Sequence, residues 1–258
     1  MAKFLLEIDQ GVARLTLNRP ERLNALTEEM MDDLGAICRQ IERDADAHVV
    51  LLTGAGRVFC AGGDIDAWAE NSADAFARHW VRDGHEAFDR LARLRQPVIA
   101  VLNGHALGGG LELAACADYR IAETHIRFGQ PEPGLGIIPG WSGTQRATRR
   151  FGAQLVRRMA LFGEIFSAEQ ALTLGLVDQV TETGGGLEAA TEFAQRLRQR
   201  GPVATELTKM LINAAEGEER ERVLDALAGR VAAMQPELQE GLAAFRASKT
   251  PDYWNDPN

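Results

Sequence analysis

Apolar and polar residues alternate from Phe4 to Ile8 and again from Val12 to Leu17, on either side of Asp9-Gln10-Gly11. A period of two broken by a turn predicts a strand hairpin. Asn18-Arg19-Pro20 ends it, and the period lengthens: Met30, Leu34, Ile37 and Ile41 recur at helical spacing behind Thr27. Thr27 is placed to cap this helix, Glu28 and Glu29 suit the positive end of its dipole, and the stripe gives it one buried face. Val49-Val50-Leu51-Leu52-Thr53 and Val98-Ile99-Ala100-Val101-Leu102 are unbroken apolar runs, as expected of strands covered on both faces. Between them, residues 71–95 read as a charged amphipathic helix, with Phe76, Trp80, Phe88, Leu91 and Leu94 as core positions and Pro97 as its stop. A helix is predicted over Leu111–Ala117 and a strand over Tyr119–Ala122, then an irregular Gly/Pro loop over 129–143. Ser167-Ala168-Glu169-Gln170 fits a capping box and starts a helix near 168–174. Gly184-Gly185-Gly186 reads as a break. After Gly201-Pro202 the pattern is helical to about residue 247, with Leu207, Leu211, Val223, Leu227, Val231 and Leu242 available as apolar stripes. Strand–helix–strand units followed by helices predict an α/β body over residues 1–200 and a helical C-terminal segment over 201–258.

Composition narrows the function classes. The chain has 258 residues, 45% hydrophobic and 25% charged, enough to bury a sizeable core. Its longest apolar runs fall far short of the roughly 20 residues of a membrane helix, and MAKFLLEIDQ has no secretory signal pattern. A net charge of -9 argues against nucleic-acid binding, whose footprint is a basic surface. Cys38, Cys60 and Cys116 are odd in number and far apart, which predicts buried thiols and a cytoplasmic protein. The five histidines show no metal-ligand spacing, so no metal site is expected.

Three segments are poor material for folding alone. Phe59-Cys60-Ala61-Gly62-Gly63-Asp64-Ile65 follows one predicted buried strand, and Asn103-Gly104-His105-Ala106-Leu107-Gly108-Gly109-Gly110 follows the other. Glycines let backbone approach a ligand closely, and three before a helix leave free N–H groups at the positive end of its dipole. Two such loops could aim two N–H donors at one oxygen, the design of an oxyanion hole; taken alone, each could equally be a tight turn. Glu112 lies in the otherwise apolar Leu111-Glu112-Leu113-Ala114-Ala115, and Glu132 stands between two prolines in Gln130-Pro131-Glu132-Pro133-Gly134. Singly they read as a helix-start charge and a loop acid. Together, beside two donor loops, they point to acid–base work on a carbonyl compound. Competing motifs fail: Gly140-Trp141-Ser142-Gly143 is no nucleophile elbow, and neither a phosphate loop nor a dinucleotide fingerprint is complete.

Four stretches, Asn18-Arg19-Pro20…Asn24-Ala25-Leu26, Phe59 to Ile65, Asn103 to Ala114, and Phe128-Gly129-Gln130-Pro131-Glu132…Gly136-Ile137-Ile138-Pro139-Gly140…Gly143-Thr144-Gln145-Arg146, resemble the enoyl-CoA hydratase/isomerase (crotonase) family in order, spacing and residue type. The resemblance runs from about residue 3 to 247. It implies a crotonase (ClpP/crotonase-like) fold of stacked strand–strand–helix units with a helical trimerisation segment, hence a homotrimer or homohexamer, and an acyl-CoA thioester as substrate. By motif position it gives Gly63 and Gly109 as the two donors and Glu112 and Glu132 as the catalytic acids. Arg22, Ala25, Ala61, Gly62, Asp64, Ile65, Gly140 and Lys249 fall at substrate-binding positions. Two departures stand out: Asp66 where many hydratases have Lys, and Phe245-Arg246-Ala247-Ser248-Lys249 in place of the familiar Phe-x-x-Lys-Arg/Lys pattern.

The implied reaction is hydration of a 2-enoyl thioester. Water attacks the β-carbon, negative charge moves to the thioester oxygen, and each amide donor is worth about 3 kcal/mol of barrier. Glu112 as carboxylate activates the water and a protonated Glu132 supplies the α-carbon proton, with no metal or redox cofactor. Trp68, Trp141, Ile138 and Leu135 are candidate walls of the acyl pocket. The alternatives are a double-bond isomerase or another acyl-CoA lyase on the same scaffold, and a non-catalytic or RNA-binding family member.

Overall fold

The computed structural model describes residues 2–253. The chain separates into two compact units, one ending at Lys209 and the other beginning at Met210. The first unit is built on a six-stranded sheet. The hairpin is present as β1 (Phe4–Asp9) and β2 (Val12–Leu17), paired antiparallel from Phe4↔Leu17 to Asp9↔Val12. From there the sheet is parallel through β3 (Val49–Gly54), β4 (Val98–Leu102), β6 (Tyr119–Glu123) and β9 (Gln179–Thr181). Parallel neighbours need crossovers. Between β2 and β3 the crossover is helix α1 (Glu28–Arg43), whose cap Thr27 accepts the Met30 N–H.

The two apolar runs owe their composition to their place in the sheet. β3 and β4 are buried along their whole length. On one face Val50, Leu52, Val98, Ala100 and Leu102 join the main core with Met30, Leu34 and Ile41 of α1 and Phe88 and Leu91 of α4 (Gly84–Ala92). On the other face Val49, Leu51, Ile99, Val101 and Ile121 pack with Ala190 and Ala194 of α9 (Gly186–Leu197). Alternation would leave one face polar, and neither face here meets water.

The long helix expected over 71–95 is interrupted. After α2 (Ile65–Trp68) and the short α3 (Ala73–Ala75), residues Phe76–Asp83 wind as a π-helix before α4 continues to Ala92. The helix expected over Leu111–Ala117 starts earlier, as α5 (Gly109–Ala114). A second sheet, β5 (Ala106–Leu107), β7 (Arg127–Gly129) and β8 (Phe166–Ser167), has strands too short to leave a sequence period. Helices α6 (Gln145–Phe151) and α7 (Ala153–Phe162) lead into it. The capping box is present: at the start of α8 (Ala168–Thr173), Ser167 Oγ accepts the Gln170 N–H at 3.3 Å and Gln170 Oε1 accepts the Ser167 N–H at 2.9 Å. Cys38, Cys60 and Cys116 are free and buried, as the sequence predicted, and burial pushes the Cys38 and Cys60 thiols up to about 12.

The C-terminal helical stretch is three helices, α10 (Pro202–Ala215), α11 (Arg220–Ala233) and α12 (Pro236–Arg246). In the second unit Val223 is buried, whereas Leu211, Val231 and Leu242 of the expected stripes are exposed. Among the described residues no helix is long and apolar enough to cross a membrane.

Candidate active site

The site grows from the loops that leave the C-terminal ends of β3 and β4, where an open parallel sheet presents its ligand crevice. Asn103, at the end of β4, ties the loops to each other. Its Nδ2 donates to the carbonyls of Gly54 (2.8 Å) and Gly56 (3.1 Å), and its Oδ1 accepts from the Gly54 N–H (3.2 Å). Asn24 does the same from the other side and is wholly buried. Its Nδ2 donates to Val58 O (2.6 Å) and Ala55 O (3.0 Å), and its Oδ1 accepts the Arg19 N–H (2.9 Å). These bonds give the Asn18-Arg19-Pro20…Asn24 motif a physical reason: it clamps the loop that carries Gly62 and Gly63.

Leu26 then holds those glycines like one rung of a parallel ladder. The Leu26 N–H donates to Gly62 O (2.9 Å) and Leu26 O accepts the Asp64 N–H (2.8 Å). In such a rung the residue between the two bonded positions, Gly63, turns its own N–H away from Leu26. Gly109 opens α5, so its N–H is one of the four that a helix start leaves without an internal partner. Among the described residues neither amide has a backbone acceptor. Each donor glycine also follows a glycine with positive φ, Gly62 at +102° and Gly108 at +53°, a conformation that costs a side-chain-bearing residue dearly. The two turns lie against each other: a Cβ on Gly62 would stand 3.3 Å from the Gly109 nitrogen.

Trp141 floors this arrangement. A Cβ on Gly109 would meet its six-membered ring at 2.8 Å, and one on Gly63 would meet the Trp80 ring at 2.6 Å. The two indoles pack at 4.8 Å between centroids, and Trp141 Nε1 donates to Trp80 O at 2.8 Å. The glycines at 63 and 109 are therefore demanded by aromatic rings pressed on their backbones as well as by the turns.

The two acids face the same cavity, of about 120 Å³. Glu112, on α5, is 3% exposed, and its Oε1 accepts the N–H groups of Trp141 and Gly143, each at 2.7 Å. Ser142 between them has φ +75°. That left-handed residue is what lets alternate amides converge on one oxygen, a small anion-binding nest. Glu132 opens a 3-10 turn (Glu132–Leu135), is 8% exposed, and among the described residues neither of its carboxyl oxygens has a hydrogen-bond partner. A Cβ on Gly108 would stand 2.9 Å from its Oε1, so it borders the Gly109 turn. Burial raises both carboxyl pKa values above the ordinary range; the Glu132 charge raises Glu112 further, and the two amides on Glu112 pull it back. Glu112 thus carries the hydrogen bonds of a carboxylate, while Glu132 is a naked buried acid.

Among the residues named from sequence, Ala61, Gly62, Gly63, Ile65, Gly109, Glu112, Glu132 and Gly140 line this one cavity, with Trp68, Trp141, Ile138 and Leu135. Arg22, Ala25 and Asp64 do not line it. Arg22 pairs on the surface with Asp66, the departure noted above (3.3 Å). Asp64 binds Arg19 (2.6 Å) and caps α2; burial alone would raise its pKa, but the Arg19 hydrogen bond and charge hold it below the usual value. Its side chain is committed to holding the loop. Lys249 belongs to the second unit, where its N–H follows α12 by donating to Ala244 O. The sequence reading did not place Phe76, Trp80 and Val81 in the site; their helical spacing assigned the two aromatics to the core.

The family model for enoyl-CoA hydratase/isomerase matches residues 7–256. The chain is 40% identical over 210 residues to a short-chain-enoyl-CoA hydratase of Clostridium acetobutylicum, covering 81% of this chain and 80% of the relative. It is 34% identical to a crotonyl-CoA hydratase of Syntrophomonas wolfei, covering 94% of each. Among solved structures, the enoyl-CoA hydratase of Bacillus anthracis superposes with a TM-score of 0.79 at 32% identity, over 99% of this chain and 100% of the other.

Proposed function

The chain belongs to the enoyl-CoA hydratase/isomerase family, and on that premise we propose that it is an enoyl-CoA hydratase, adding water reversibly and syn to a 2-enoyl-CoA to give the 3-hydroxyacyl-CoA. Its fold is the crotonase fold. The observation that carries the reading is the meeting, in one small cavity, of two unpartnered amides with two buried carboxyls in unlike hydrogen-bonding states.

The thioester oxygen binds between the Gly63 and Gly109 N–H groups. As water adds to the β-carbon, that oxygen gains enolate character. The preset amides then strengthen their hold without reorganising, at the positive end of α5. Glu112, its Oε1 fixed by Trp141 and Gly143, has Oε2 left to accept the proton of the attacking water. Glu132 is kept neutral by burial and by the lack of donors, and gives its proton to the α-carbon. In dehydration the two exchange roles. The chemistry as drawn asks for no metal or redox cofactor. The packed Trp80–Trp141 pair keeps bulk water from the reacting atoms.

The finer features of the reading are a cytoplasmic enzyme that works as a homotrimer or homohexamer. Three buried free thiols support the first, and the exposed apolar side chains of the helical C-terminal unit support the second.

The test supplies 2-enoyl-CoA and follows 3-hydroxyacyl-CoA, beside 3-enoyl-CoA to detect isomerisation. Glu112→Gln and Glu132→Gln are each expected to lower kcat by roughly 10²–10⁴-fold, the usual weight of a positioned acid or base. Isomerisation without hydration would overturn the assignment.

A further inference from the structure

The cavity that holds the two acids is small, and its buried end is aromatic. Its volume of about 120 Å³ is well below the roughly 300–1,000 Å³ usual for a small-molecule pocket. Trp80 and Trp141, 5% and 3% exposed, close the inner end. Leu135 and Ile138, 58% and 66% exposed, stand at the rim.

The closed end depends on an irregularity of backbone. Phe76, Trp80 and Val81 all line the cavity, and all lie in the π-helical turn Phe76–Asp83. In an α-helix five steps carry a residue about 140° around the axis, so Val81 would point away from Phe76. In a π-helix the bonding reaches from i to i+5, and residues four and five apart flank the first. The wider winding therefore turns a bulky indole and a branched side chain into the cavity from one element. Both are braced. The Trp80 ring lies on Gly63 and against Trp141, and the Val81 methyls would meet a Cβ on Gly140 at 3.3 Å.

Resting on the hydratase reading above, we infer that Trp80 and Val81, presented together by this π-helical turn, set the acyl chain length, so that the site favours short 2-enoyl chains and discriminates against those of eight carbons or more. A longer chain has either to displace the braced indole or to lie out over Leu135 and Ile138 in contact with water. Each methylene that finds an apolar wall gains about fourfold in affinity, and each that finds none gains nothing while disturbing the packing around it.

The test is a chain-length series with 2-enoyl-CoA substrates of four, six, eight and ten carbons. For the unaltered protein kcat/KM is expected to fall at least tenfold from four carbons to ten, through KM more than kcat. Trp80→Ala is expected to raise the ten-to-four ratio at least tenfold, and Val81→Ala about fourfold, again through KM. A series that is flat or rises with length overturns the inference. So does an unchanged ratio in either variant that melts cooperatively. Trp80 is a core residue, and Val81→Ala gives the answer if Trp80→Ala does not fold. If no chain length is hydrated, the hydratase reading fails, and the inference is judged on binding alone. Calorimetry with saturated butanoyl-CoA and decanoyl-CoA should then give at least tenfold weaker binding of the longer chain, and equal or tighter binding overturns it.

Discussion

Glu112 and Glu132 are both buried and differ in what touches them. Two backbone amides on Glu112 Oε1 stabilise its charge, whereas at Glu132 burial, which penalises charge, dominates. A pair of this kind titrates in two macroscopic steps, and the reaction needs the form with one proton. The profile of kcat/KM against pH is therefore expected to be a bell with both limbs displaced upward from the ordinary carboxylate range. The acid limb reflects binding of a second proton by the pair and the alkaline limb loss of its last one. The same groups act on stability. Their folded pKa values lie above the unfolded ones, so the folded state binds more protons between the two. Their favourable contribution is present below the unfolded value and is lost as pH rises through the folded value. Glu132→Gln, which cannot charge, should melt on the order of 5 °C above the unaltered protein at pH 8, with the gap closing toward pH 4. Melting curves at the two pH values check this, and a variant that is less stable at pH 8 would contradict the burial argument.

At the scale of elements, the site is a set of turns held by side chains that never reach the substrate. Asn24 satisfies two loop carbonyls and one amide while fully buried. Asn24→Ala leaves those carbonyls without donors, and one such loss costs about 1–3 kcal/mol. The expected outcome is a clear drop in Tm and in kcat. Much of this was legible in sequence for physical reasons. Buried parallel strands need unbroken apolar runs, helix starts need caps, and turns pressed against other backbone need glycine, so β3, β4, the Ser167 box and the Gly62–Gly63 and Gly108–Gly110 turns leave marks. Strands of two or three residues have no period to detect, and α9 begins behind Gly185 with no side-chain cap. Phe76 and Trp80 looked like core because an acyl cavity and a core call for the same side chains. Whether Val81 joins them depends on helical register, which composition does not encode. Ser142 at positive φ left no signal either; such strain persists where surrounding bonds over-determine it, here the two amides on Glu112.

For the whole molecule, the division of labour follows from where apolar surface can be hidden. The first unit covers both faces of its sheet with its own helices. The helical unit differs. On α12, Leu238, Leu242 and Phe245 recur at helical spacing and are 40%, 36% and 82% exposed, and on α11 Leu224 and Val231 are 58% and 61% exposed. An apolar stripe left in water along consecutive helices is costly and marks an interaction surface. In the reading proposed above, copies of this chain cover it. Sedimentation equilibrium should then give a mass near 84 kDa or its double, three or six times the 28.1 kDa chain. Phe245→Asp should shift the distribution toward single chains, because a carboxylate buried in an apolar contact costs several kcal/mol. The shift should leave the far-ultraviolet spectrum of the α/β body unchanged, since that unit buries its sheet unaided. A mass of 28.1 kDa for the unaltered protein at micromolar concentration would refute self-association, and loss of the body's fold in Phe245→Asp would mean that the stripe serves the chain's own core instead.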